Sequence, residues 1–542
     1  MLRKKNYLLS ILVVLLLVLP LGACTLPQSG TDNTTASVKP TESSTVGETT
    51  VEKGLYPFKD NITLSILTVA DSNVQSAGYN DWGDTEFCKY WQEATGVNLD
   101  IKSMTKEAVQ LQLSSGDYPD IARICDSTYP GGLLKKIEDE LAIDLMDYAD
   151  YMPDYLNTIH ITEEYENYVT YTDGGIYFFA NFIEVGNPTL SWRGVVLRQD
   201  FLDKLGMEIP TTNQEFYDVL KAFKDDLGCD APFSASWWYN LLVDGFMTTE
   251  YGLVTSRSYQ KDGKYYYGAY EKEYKDALAY LNRLYNEGLL DINFQTTDEA
   301  TSQASLLNGK TGAHYTSAAR INTLWNNATD SNFALVGIGS LNGSDGTKAL
   351  YSQSDSLTPA RCNAYITADC ENPEAAVALF NWLYTDEGKI ISNFGVEDLC
   401  WKEVNGVPTF TEYMTKNENG LSLDNMLYVQ TMGNRPKVSI TGVSLQRFAR
   451  PEQVTAQERW ADSQVRKYML PQFTISDSDL NKEETLLWSD IVTYIKECRS
   501  KFISGAMNLD SDFDTYLNTL KSMGMDRVLE LNQIGLDEYN SK

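Results

Sequence analysis

The chain has 542 residues, 43% hydrophobic and 22% charged, the composition of a globular protein long enough for two or more domains. Against 44 Lys and Arg stand 75 Asp and Glu, a net charge of −31. That balance argues against nucleic acid and against a polybasic membrane clamp, which both need clustered cations. The two histidines, His160 and His314, lie far apart in sequence and exclude a multi-histidine metal site.

The N-terminus sets the compartment. Arg3, Lys4 and Lys5 form a charged region, and Leu8 to Leu19 is an apolar run broken only by Ser10. A bilayer-crossing helix needs about 20 apolar residues, so this shorter run reads as a secretion signal over residues 1–23. It ends in Leu21-Gly22-Ala23-Cys24, which resembles a bacterial lipobox. The resemblance implies lipidation at Cys24, with the chain tethered to the outer face of the cytoplasmic membrane by acyl chains alone. Residues 24–58 are rich in Thr, Ser and Gly and read as a flexible tether.

Alternating strand and helix patterns follow. Ile62, Leu64 and Ile66 alternate into a strand that ends at Val69. Asp84 is placed to cap a helix with Phe87, Tyr90, Trp91 and Ala94 on one face and Gly96 as its stop. Val97, Leu99 and Ile101 alternate again, and Ile121 to Ile124 is a third strand. This order predicts parallel βαβ units. Thr212-Asn213-Gln214-Glu215 is a capping box, followed by the stripe Phe216, Val219, Leu220 and Phe223. Tyr274, Leu278, Leu281 and Tyr285 line a further helix that Gly288 ends. Asn372 is placed to cap another, with Pro373 at its first position and Gly388 as its stop. The last 60 or so residues read as helices from their 3.6-residue periodicity.

Catalytic and metal motifs are weak. No G-x-S-x-G and no Walker loop occurs. Gly337, Gly339 and Gly343 miss the dinucleotide spacing and are expected to turn the chain between lobes. Asp477, Asp479 and Asn481 begin like a calcium loop, but Trp488 stands where the closing glutamate belongs. No cofactor and no metal are expected. Past Cys24 the cysteines are Cys88, Cys125, Cys229, Cys362, Cys370, Cys400 and Cys498, expected as small buried residues. Cys362 with Cys370 is the one local pairing to consider, and spacing does not establish it.

Several stretches resemble family 1 extracellular solute-binding proteins, the receptors of carbohydrate ABC importers, in the larger lipoprotein subgroup. They are Trp91-Gln92-Glu93-Ala94-Thr95-Gly96-Val97, the turn Ser115-Gly116-Asp117-Tyr118-Pro119-Asp120, and Leu197 to Gly206 with Pro210-Thr211-Thr212. Asn372-Pro373-Glu374-Ala375-Ala376 and Thr385-Asp386-Glu387-Gly388 continue the match. Asn393-Phe394-Gly395-Val396-Glu397 and Phe502-Ile503-Ser504-Gly505 complete it. The resemblance implies a two-lobed α/β fold of the periplasmic-binding-protein type, similar to maltose-binding protein. Crossing strands would join the lobes and the C-terminal region would be helical. The expected lobes are 59–181 plus 336–395 and 182–335 plus 396–542. Many relatives hold calcium in an Asp/Asn/Gly-rich loop after the helix at 213–224. Lys224 to Asp230 is shorter here and lacks the spaced oxygens, so no metal follows from the resemblance.

The implied work is capture of a carbohydrate, an oligosaccharide, between the lobes and delivery to a membrane permease, by a monomer and without catalysis. A sugar site needs aromatic rings for C–H faces and polar side chains for hydroxyls, and the chain holds 10 Trp and 34 Tyr. Candidate ligand residues are Asn80, Asp81 and Trp82 after the first strand, and Asp117 and Asp120 in the next turn. Trp237, Trp238 and Tyr239 form an aromatic run. Tyr315 and Arg320 fall where the resemblance puts an aromatic near sugar, and Glu397 and Trp401 follow the Asn372 helix. Core packing competes for each aromatic, and a solvated face or helix cap for each carboxylate. Trp91 and Trp382, on helix stripes, are assigned to core. A receptor for a peptide or other nutrient, a surface glycosidase and a sensor for a membrane kinase stand as alternatives.

Overall fold

The computed structural model describes residues 55–58, 61–125, 128–129, 132–187, 190–359, 362–433, 435–448, 450–473 and 475–542. The expected signal segment, Cys24 and most of the tether lie outside the described residues.

The first lobe begins with β1 (Thr63–Val69), β2 (Asn98–Met104), β3 (Ile121–Ile124) and β4 (Asn181–Ile183). The second takes β5 (Arg193–Arg198), β6 (Phe233–Ser234), the hairpin β7 (Ser258–Lys261) and β8 (Lys264–Tyr267), then β9 (Ala313–Ser317) and β10 (Leu335–Ile338). The chain returns for β11 (Asn363–Ile366), the hairpin β12 (Trp401–Val404) and β13 (Val407–Phe410), and β14 (Lys437–Ser439). One sheet has the order β11-β3-β1-β2 and the other β10-β5-β9-β6. β1 runs parallel to β2 and β3, as the alternation predicts, with Ile66 opposite both Ile101 and Ile121. The second sheet departs from that pattern, since β5 pairs antiparallel with β9 and β10. β14 lies parallel to β4 beside the first crossing.

Local chemistry explains the elements. The helix Glu86–Thr95 is capped by Thr85, not Asp84, whose carboxylate instead accepts from Asp81 N in a preceding 3-10 turn. Gly96 ends that helix at φ 73°, and a Cβ there would meet Phe58 O at 2.6 Å. Thr212 and Glu215 form both halves of the capping box of Asn213–Asp225, with Phe216 and Phe223 buried. Asn372 makes no side-chain cap, and Pro373 alone starts Pro373–Asn381. Gly388 does not stop that helix. A 3-10 turn, Trp382–Tyr384, intervenes, and Thr385 caps a new helix, Asp386–Phe394, that contains Gly388. A Cβ on Gly388 would lie 1.7 Å from Trp382 O and 2.9 Å from Leu383 Cα. Helix propensity favours alanine over glycine by about 1 kcal/mol. Gly388→Ala is nevertheless expected to destabilise by about 1–3 kcal/mol, because the obstruction is backbone. Urea unfolding reads the sign.

Two cores form. Trp91 and Trp382 are buried in the first, where Trp91 meets Phe380 edge-on at 5.4 Å and Phe380 stacks on Phe179. Tyr155 joins Phe179 and Tyr384 at 4.8 and 4.7 Å. Much of the aromatic content is thus interior. The second core gathers Phe216, Leu278 and Leu281 with the C-terminal helices Ser478–Ser504, Leu509–Ser522 and Met525–Asn540. Asp477 and Asp479 belong to the start of the first of these, whose orphan N–H groups Asp477 accepts at 2.9 Å. Gly337 lies within β10, and Gly339 is the first residue after it. They admit the helix Pro451–Ala461, for a Cβ on Gly337 would lie 2.4 Å from Ala456 Cβ.

Cys362 is bonded to Cys125, not to Cys370. The reason is topological: Asn363 pairs with Ile124 in the sheet, which brings the flanking cysteines together across 237 residues of sequence. Cys88, Cys229, Cys370, Cys400 and Cys498 are buried free thiols, and burial pushes Cys88 and Cys370 up to about 12.

The anticipated break at 336 falls inside β10, which pairs with β5 in the second sheet. Residues beyond 396 touch the first lobe, where Gln430 donates to Tyr79 Oη at 2.7 Å and Asn419 to Ala77 O at 3.2 Å.

His314 on β9 is fully buried, with Nδ1 2.9 Å from Ser234 O and 2.9 Å from Ser302 Oγ. Burial holds its pKa below the ordinary histidine value. The unfolded chain then binds the extra proton first, so this contribution is intact above about pH 6.5 and lost as pH falls toward the folded pKa. From about pH 7.5 to about pH 5.5, stability is expected to fall more in the native protein than in His314→Gln. Urea midpoints at the two pH values measure it.

Candidate functional site

A cavity of about 1020 Å³ lies between the lobes. Ile183, Tyr428 and Ser439 reach it from β4, the helix Leu423–Gln430 and β14 respectively. Trp192, Arg193, Asp244, Arg257 and Ser317 face it from the second lobe. The crossing after β10 supplies Tyr351, Gln353 and Asp355, and the segment before Ser478 supplies Pro471 and Phe473.

The floor is a charged network. Arg193 Nε donates to Asp244 Oδ2 at 3.1 Å and Nη2 to Oδ1 at 3.2 Å. Tyr315 Oη donates to the same Oδ2. Asp244 is 3% exposed, so both its oxygens are committed away from bulk water. Burial opposes the Arg193 charge, but Asp244 and Tyr315 outweigh it and raise the pKa. Burial, then Asp244, pushes the Tyr315 hydroxyl well above its usual range. Arg257 Nη2 donates to Tyr351 Oη at 2.9 Å. Its charge is opposed by burial and favoured by Tyr351 and Asp244, with the pKa raised on balance.

An aromatic ledge borders this floor. Trp192 is 37% exposed, with Arg193 4.7 Å from its ring centroid on one side and Trp237 edge-on at 6.3 Å. Its backbone N–H donates to Gln353 Oε1 at 2.7 Å, which fixes the ledge to the crossing segment. A half-open indole next to amide, hydroxyl and guanidinium groups suits a solute with both apolar and polar faces. Among the described residues, no group of three or more His, Cys, Asp or Glu could hold a metal.

The sequence-predicted residues fall into several places. Tyr315 stands one layer behind the cavity, holding Asp244. Trp237 supports Trp192, with Arg320 6.0 Å from its ring and 3.4 Å from Glu299. Trp238 is buried edge-on against Phe294, while Tyr239 is exposed. Asp81 joins the turn after β1 to β2, accepting from Ser103 N at 3.1 Å and Ser103 Oγ at 3.0 Å. Asn80 beside it is exposed. Trp82 is buried beneath two guanidiniums, Arg123 at 3.7 Å and Arg435 at 5.6 Å from its ring. Burial, with Arg435 as the next cause, takes Arg123 well below its usual pKa. Asp117 is exposed, and Asp120 accepts from Ser65 N and Oγ at 2.7 and 2.6 Å. Both precede β3, at the edge of the parallel strands opposite the turn after β1. Glu397 is exposed, and Trp401 is buried with Nε1 donating to Gly395 O at 2.9 Å. None of these twelve lines the main cavity.

Sequence reasoning missed Trp192, Arg193, Asp244, Arg257 and Tyr351. Trp192-Arg193 at a strand entry was the one local signal available.

Polar contacts also join the lobes outside the cavity. Arg466 Nη1 lies 3.9 Å from Glu164 Oε2, and Lys542 Nζ lies 3.4 Å from Asn167 O. Such contacts exchange readily for water when lobes part.

Two α/β lobes around an interlobe cavity define a two-lobed solute-binding protein. The chain belongs to the bacterial extracellular solute-binding protein family, whose model matches residues 73–390. It is 23% identical over 526 residues to the fructooligosaccharide ABC transporter substrate-binding protein FusA of Streptococcus pneumoniae serotype 4, covering 90% of this chain and 92% of that protein. It is 23% identical over 468 residues to the lipoprotein LipO of Bacillus subtilis, covering 82% and 87%. Among solved structures, it is similar to the HMO-binding ABC-transporter-associated solute-binding protein of Bifidobacterium longum infantis. There the TM-score is 0.71 at 18% identity, covering 89% of this chain and all of that one. The described residues contain no helix long and apolar enough to cross a membrane.

Proposed function

We propose that this protein captures an oligosaccharide between its lobes outside the cell and delivers it to an ABC permease. The observation that carries this reading is the interlobe cavity of about 1020 Å³, walled by the half-open Trp192 and by hydroxyl, amide and guanidinium groups. That volume is at the upper end of small-molecule sites, which run to about 1,000 Å³. Relatives named for fructooligosaccharide and HMO binding support a saccharide as cargo. Binding needs no bond made or broken: contacts to both lobes favour the closed state and shift its population. Cys24 anchors the chain by its lipid, after removal of residues 1–23. The lobes divide after β4, after β10 and after β14, with residues 396–440 in the first. Isothermal calorimetry with neutral and acidic oligosaccharides of two to five units tests the reading. Saturable binding of at least one, with no cleavage products, is expected. Turnover of the sugar, or binding of peptides and of no sugar, would end it.

A further inference from the structure

The cavity wall carries a cation that no carboxylate meets at ion-pair distance, although Asp244 favours its charge from farther off. Arg193 takes both oxygens of Asp244. Arg447 is paired with Asp424 at 2.6 Å. Asp355, the other acidic side chain of the wall, is engaged by Gln353 at 3.5 Å and by further partners. Arg257 is left with the neutral Tyr351 hydroxyl, its Cζ 5.5 Å from that ring's centroid. Among the described residues, no carboxylate lies within ion-pair distance of Arg257, and its Nε and Nη1 make no bond to protein. In a chain of net charge −31, this places a positive focus in the one large interlobe cavity described.

A guanidinium withdrawn from water is costly unless an anion meets it. Its planar fork matches a carboxylate with two parallel hydrogen bonds, a geometry that a sugar hydroxyl cannot reproduce. We propose that Arg257 is the carboxylate-recognising residue of this cleft and that the captured saccharide is acidic, carrying a uronate. The uronate carboxylate meets one edge of the fork, Nη2 with Nε or Nη2 with Nη1, through the second Nη2 hydrogen, while the first stays on Tyr351. This rests on the receptor reading above and adds the charge class of its cargo.

Calorimetry with trisaccharides of galacturonate, glucuronate and mannuronate, each beside its carboxyl-reduced neutral counterpart, tests it. At least one uronate is expected to bind about 10-fold or more tightly than its counterpart. Arg257→Gln is expected to weaken that acid by about 10-fold or more beyond whatever it costs the neutral counterpart. Raising salt from about 0.05 M to about 0.5 M should weaken the acid alone. The ligand-free melting temperature separates recognition from support of Tyr351, and a variant that melts as the native protein does supports recognition. If Arg257→Gln melts early, Arg257→Lys keeps the charge, loses the fork, and is expected to cost more affinity for the acid than for its neutral counterpart. Neutral sugars bound as well as uronates would overturn the carboxylate assignment and leave the receptor reading standing. Equal weakening of both by Arg257→Gln would also overturn it. No binding by any acid or neutral sugar would overturn the receptor reading, and this proposal with it.

Discussion

Asp244→Ala is expected to lower the unfolding free energy by about 3–5 kcal/mol and to abolish measurable ligand binding. The carboxylate is 3% exposed and meets three donors: Arg193 Nε, Arg193 Nη2 and Tyr315 Oη. Truncation leaves Arg193, with a side chain 19% exposed, as a largely buried cation without an anion. It also strands the Tyr315 hydroxyl in a residue 1% exposed, and a buried polar group without a partner costs about 1–3 kcal/mol. Asp244→Asn keeps one oxygen for Tyr315 and Arg193 Nε but removes the charge and turns an NH2 donor toward Arg193 Nη2, so it should lose less than alanine while still destabilising. Urea unfolding with an unchanged m-value reads both. A loss under about 1 kcal/mol for alanine would show that water reaches this network freely.

Trp460→Ala is the second large effect, at about 3–5 kcal/mol. Trp460 is 3% exposed and donates Nε1 to Val195 O at 3.1 Å, binding the helix Pro451–Ala461 to β5. Its ring lies on Gly194, where a Cβ would come within 2.5 Å of Cδ1 and Nε1. The same helix brings Gln457 into the cavity wall and donates Arg459 Nη1 to Gly337 O at 3.1 Å. Losing the indole therefore opens a void under the wall as well as weakening the lobe. Gly194→Val is expected to destabilise from the opposite direction, by about 1–3 kcal/mol, since the ring must move. Combined with Trp460→Ala, the valine should fill part of the void, giving a favourable coupling in a double-mutant cycle. Strict additivity would contradict the contact.

What could be read from sequence was local and periodic. β1 to β3, the Thr212 capping box and the stripes of Asn213–Asp225 and Tyr274–Asn286 each carry their signal within a few residues. The family resemblance rested on such stretches, and the family holds. Features decided by partners far along the chain were not legible. Gly337 and Gly388 looked like turn or stop glycines, yet each is needed because another backbone or helix approaches it. Cys362 finds Cys125 through sheet order. The cavity is the extreme case, since Trp192, Arg257 and Tyr351 share no motif and come from stretches far apart in the chain. Trp82 and Trp401, chosen for position after strands and helices, fill interiors, because a loop following a strand lines a cleft only where the opposite lobe faces it.

The central claim is closure of two lobes on a saccharide. Small-angle X-ray scattering of the tether-free body, with and without a saturating amount of the tightest-binding oligosaccharide from calorimetry, tests it most directly. A smaller radius of gyration and a shorter maximum dimension are expected in the loaded protein. Superimposable profiles at full occupancy would contradict it.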